Sequence, residues 1–100
     1  MRYRVRAKFR DEKRKEFLEI LTDGTVENLE PFGREIGAAM RRAVRTEGEV
    51  AWTETCYCPT PLLQEREAVY DKFFEGIETE TVEAFPELGG ESFWKWLEGD

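Results

Sequence analysis

The sequence predicts an α+β domain, and three observations carry that expectation. The opening ten residues, "MRYRVRAKFR", alternate apolar with basic, the period-2 signature of a strand buried on one side. Three later stretches repeat apolar residues at helical spacing. Among them lies "EVAWTETCYC", a run rich in β-branched, aromatic and cysteine residues.

Taken in order, residues 2–9 form the first strand, with Tyr3, Val5, Ala7 and Phe9 inward and Arg2, Arg4, Arg6, Lys8 and then Arg10 outward. Asp11 reads as an N-cap and Gly24 as a left-handed C′ residue. With Phe17, Leu18 and Leu21 as its stripe, a first helix covers about 12–22. Pro31 suits the first position of a second helix, whose stripe of Phe32, Ile36, Ala39, Met40 and Ala43 carries it to about Val44. Gly48 marks a turn, and 49–58 read as a second strand that Pro59 and Pro61 end. Thr60-Pro61 opens a third helix with Leu62, Leu63, Val69, Tyr70, Phe73 and Phe74 on one face, closed by Gly76. The polar run "IETETVEAF" reads as an edge strand. After Gly89-Gly90, a short turn capped by Ser92 gathers Phe93, Trp94 and Trp96.

The order is β-α-α-β-α-β. It predicts a small sheet of about three strands with helices packed on one face, a sandwich of ferredoxin-like character. So thin a sheet is short of cover, which a homodimer pairing its sheets, as in dimeric α/β barrels, relieves; that analogy concerns fold and carries no activity. One hundred residues suit one core, so 1–100 is expected to be a single domain, its aromatic tail at 85–100 docking on the body or on a partner.

Composition narrows the function classes. There is no histidine, which removes the commonest general base and zinc ligand. Net charge is −7: residues 1–45 carry twelve Lys/Arg against eight Asp/Glu, and 46–100 carry three against fourteen, giving halves of +4 and −11. Halves of opposite sign within one domain most simply face each other. No apolar run approaches the roughly 18 residues of a membrane span, and cations stand where a signal peptide needs an apolar stretch, so the cytoplasm is expected and a membrane is not. The glycines form no phosphate-cradling pattern, and no nucleotide or other cofactor is expected.

Three groups of residues stand out. The first is the basic ladder of strand 1, which lacks an aromatic platform on its own face; pairing with Glu78 and Glu80 on a neighbouring strand explains it better than nucleic acid does. The second is the face Val50, Trp52, Glu54, Cys56 and Cys58, where a carboxylate among apolar neighbours should be pushed up in pKa and thiols offer a nucleophile. Two thiols without histidine complete no zinc site in one chain, although a symmetric dimer would supply four sulfurs. The third is the tail, where Phe93, Trp94 and Trp96 suit an interface.

The leading expectation is a non-catalytic binding or interaction module acting as a homodimer, with Arg4, Arg6, Trp52 and Tyr57 as its ligand contacts and a small molecule or protein as its partner. The competing expectation is a small enzyme or thiol-redox protein working at Glu54, Cys56 and Cys58, with Arg4 or Arg6 holding an anionic substrate.

Overall fold

The alternation at the N-terminus becomes β1 (Arg2–Phe9) in the computed structural model, which describes residues 1–56 and 59–99. Tyr3, Val5, Ala7 and Phe9 are buried and the intervening cations exposed. A 3-10 turn (Asp11–Lys13) leads into α1 (Arg14–Thr22), and a loop brings the chain to α2 (Gly33–Arg42). β2 (Val44–Thr46) and β3 (Glu49–Thr55) form a hairpin whose two loop residues, Glu47 and Gly48, have φ of 53° and 85°. Positive φ at both is the backbone that matches strand twist across a two-residue loop.

Next come α3 (Leu63–Glu65), a π-helical turn (Arg66–Tyr70) and α4 (Asp71–Phe73), from which β4 (Phe74–Val82) continues directly. β5 (Glu91–Ser92) and α5 (Phe93–Glu98) follow.

The α+β class holds, but the expectation of a three-stranded sheet is wrong. Among the described residues, five antiparallel strands lie in the order β4-β1-β3-β2-β5. The second helix stops at Arg42, because Ala43 turns extended with ψ of 149°; this frees Val44–Thr46 to pair with β3. β5 is too short to show any alternation. Counting α1 and α2 as one helical layer, the chain through β4 runs β-α-β-β-α-β, to which β5 and α5 are added.

Smaller corrections have equally local causes. Asp11 caps nothing with its side chain; its carboxylate instead lies 3.7 Å from Arg45. α2 begins at Gly33, two residues after Pro31. Gly76 closes no helix but lies within β4 at φ of 64°, where β4 has one residue more than β1 between the pairs Arg6↔Glu78 and Lys8↔Glu75. A glycine of positive φ at such an extra residue is a β-bulge device. Leu63 leaves the buried stripe and is 40% exposed.

The core lies on one side of the sheet and is dominated by rings. Phe9 meets Phe17, Phe74, Phe93 and Trp96, while Phe17 and Phe73 approach to 4.6 Å between centroids. Each fully buried phenylalanine contributes about 2 kcal/mol through its transfer from water. Near the C-terminal end Phe93 is fully buried, and the guanidinium groups of Arg14 and Arg45 lie over the Trp96 ring, 4.5 and 4.3 Å from its centre. The Ser92 hydroxyl accepts from the Lys95 amide at 3.2 Å, capping α5. Ser92→Ala is expected to lower stability by about 1 kcal/mol in urea unfolding.

The other side carries the charge ladder. Arg6 lies 2.7 Å from Glu78, Arg4 3.9 Å from Glu80 and Arg10 3.6 Å from Glu75. The connector 83–90 must travel from β4 at one margin to β5 at the other. Glu87, Leu88 and Gly89 share a concavity with Arg4, Arg6 and Ala51, so the connector runs over that face. Among the described residues no helix is long and apolar enough to cross a membrane.

Candidate functional site

Period 2 along β3 places Val50, Trp52, Glu54 and Cys56 on the core side. Glu54 is fully buried there. Its Oε1 accepts from Trp52 Nε1 at 2.9 Å and from the Tyr70 hydroxyl at 2.6 Å, and its Oε2 has no hydrogen-bond partner among the described residues. Burial raises the Glu54 pKa from 4.5 to about 8. The two donors pull it down, and the carboxylates of Glu65 and Glu35 push it further up. Tyr70 is pushed well above its usual value of 10 by the same burial and by Glu54. Glu54 is therefore a neutral acid over the acidic and neutral range.

The edge of β3 beyond β2 is completed by side chains. Of β3, β2 covers only Glu49–Ala51, so the backbone at 53–55 needs other partners on that edge. α2 supplies them: Arg42 donates to the Thr53 carbonyl at 2.7 Å, and Glu35 accepts from the Thr55 amide at 3.0 Å. Arg42 and Glu35 are themselves 3.4 Å apart.

This side-chain edge borders a cleft of about 610 Å³. Glu35 of α2 lines it with Pro31 and Phe32 just before that helix, Thr55 and Cys56 line it from the end of β3, and Leu63, Gln64 and Glu65 of α3 line it together with Pro59. Cys56 and Glu65 are buried. The lining is mainly apolar, and its charged members are both carboxylates.

No protein-family model, curated protein or solved structure matches this chain.

The residues singled out from the sequence do not converge. Arg4 and Arg6 lie on the charged face of the sheet, whereas Trp52, fully buried, lies on the core side. Glu54 touches Trp52 and Tyr70, while Cys56 lines the cleft. Tyr57 and Cys58 lie outside the described residues. Phe93 is buried in the core, and Trp94 stacks under Arg41 at 4.1 Å. No group of three or more Cys, Asp or Glu that could hold a metal occurs among the described residues.

Sequence reasoning missed Phe32, Glu35, Leu63, Gln64 and Glu65 as neighbours of one cleft, and Tyr70 as the partner of Glu54. A signal for Glu65 existed: it stands three residues after Leu62 and four before Val69, in phase with the buried stripe. Nothing in the spacing marks Glu35 as an edge partner of β3.

Proposed function

We propose that the protein is a binding module that holds a small, largely apolar ligand in the cleft between α2 and α3 and does not transform it. The observation that carries this reading is the cleft itself: about 610 Å³ with Pro31, Phe32, Pro59 and Leu63 around it, within the roughly 300–1,000 Å³ of ordinary ligand pockets. Binding is favoured over catalysis because Glu54 is sealed beneath the surface with its bonded oxygen turned to Trp52 and Tyr70. Arg4 and Arg6, the candidates for holding an anionic substrate, are on the far side of the sheet. One copy of the chain supplies every wall of the cleft, so the reading does not require a dimer.

Nile red, a neutral apolar dye, is the test probe. Its fluorescence is expected to saturate at one site per chain, and Phe32→Ser should weaken binding about tenfold, the effect of losing one buried ring contact. Unsaturable binding, or an affinity untouched by Phe32→Ser, would remove the reading. Titration of the thiols with an alkylating reagent separates the enzyme alternative, since thiols reacting well below pH of about 8.5 would favour thiol chemistry instead.

A further inference from the structure

β4 lies at one margin of the sheet, paired with β1 and with no other strand among the described residues. Over nine residues, Phe74–Val82, its outer edge presents backbone amide and carbonyl groups to whatever lies beside it. Proteins usually blunt such an edge with charged side chains, lysine above all, or with proline, a bulge or shortness; here glutamates supply the charge and Gly76 the bulge. Residues 74–82 contain neither lysine nor proline, and past the Gly76 bulge the register from Glu78 to Val82 is regular.

The side chains on this edge are specific in charge. Glu78 and Glu80 project on the same face with 65% and 68% of their side chains exposed. Arg6 and Arg4 approach Oε1 of each from the β1 side. Thr79 and Thr81 alternate with them on the opposite face and are also exposed.

We propose that this edge receives an extended basic segment of a partner protein by strand addition, with cations at alternate positions set against Glu78 and Glu80 and a β-branched residue between them. The chain contains its own precedent. On the inner edge, β1 presents Arg4, Val5 and Arg6 opposite Glu80, Thr79 and Glu78. Strand addition supplies main-chain hydrogen bonds, and the alternate side chains supply selectivity. A second copy of this chain is a poor occupant: its β1 is already paired on both edges, and its β4 would bring glutamates against glutamates. This surface is distinct from the cleft and does not depend on the ligand reading.

The test uses the full chain, isotope-labelled, and two peptides of equal composition, Ac-TRVRVRT-NH2 with alternating cations and Ac-TRRVVRT-NH2 with a clustered pair and no two cations at alternate positions. The alternating peptide is expected to bind about fivefold or more tightly than the clustered one, to slow amide exchange at 77–82, and to lose that advantage in the Glu78→Gln/Glu80→Gln variant. Equal affinity for the two peptides would mean general attraction to an acidic protein, and the proposal would fall. Protection elsewhere, absence of binding, or self-association of the chain along β4 would overturn it equally. The comparison of the two peptides on the unaltered chain stands whether or not the variant folds.

Discussion

Glu54→Gln is expected to match the unaltered protein near pH 4.5 and to exceed it in stability by a few kcal/mol near pH 8. The sign follows from the raised pKa. Below about 4.5 the carboxyl is protonated in the folded and the unfolded chain alike, so titration alters nothing there. Between 4.5 and about 8 the unfolded chain releases this proton while the folded chain keeps it. Across that window the folded form binds more protons, and its stability falls as pH rises, levelling off once the folded carboxyl has also ionised. Glutamine keeps an oxygen for the Trp52 and Tyr70 donors and cannot ionise, so the fall should vanish. Glu54→Ala does something different. It strands Trp52 Nε1 and the Tyr70 hydroxyl in the core at about 1–3 kcal/mol each and opens a cavity, for a total loss of about 4 kcal/mol. Urea unfolding of the unaltered protein and the two variants from pH 4.5 to 8.5 checks both effects. Were the glutamine variant to lose stability with rising pH in parallel with the unaltered protein, burial of this carboxyl would govern nothing.

Gly33→Ala should be the most damaging small change in α2, whereas Gly37→Ala, one turn along the same helix, should stabilise. A Cβ on Gly33 would lie 2.1 Å from the Val26 carbonyl oxygen and 2.9 Å from that of Glu27. Both are backbone atoms, so relief requires the loop before α2 to move, and overpacking of this kind costs about 3 kcal/mol. A Cβ on Gly37 meets nothing within 4 Å, leaving only the helix propensity gain of about 0.5–1 kcal/mol. Thermal and urea melts of the two variants should therefore move in opposite directions. Because Gly33 follows Pro31 and Phe32, its alanine variant should also weaken Nile red binding by displacing one wall of the cleft.

The parts of the fold legible in the sequence were those whose period is long enough to register. β1 shows eight alternating residues, and burial follows them without exception. The core side of β3, including the misfit Glu54, was likewise visible from period 2. β2 was hidden because Val44 extends the apolar stripe of the preceding helix and because the turn is Glu47-Gly48, lacking the asparagine or aspartate that usually announces a two-residue hairpin. β5, two residues long, has no period to read. The cleft was illegible for another reason. Its walls come from 31–35, from Thr55, Cys56 and Pro59, and from 63–65, and only the docking of α2 along the exposed margin of β3 brings them together.

The place of β1 between β3 and β4 also constrains the order in which the fold can be completed during synthesis. It is made before the other four strands, yet Arg2 ends opposite Val82 and Phe9 opposite Phe74. Contacts so distant along the chain form only after a large loss of chain entropy. Until residues 74–82 have been synthesised, the cationic ribbon has β3 on one flank and no strand on the other. The earliest of the strands is thus among the last to be enclosed, and its arginines wait for glutamates that the ribosome adds much later.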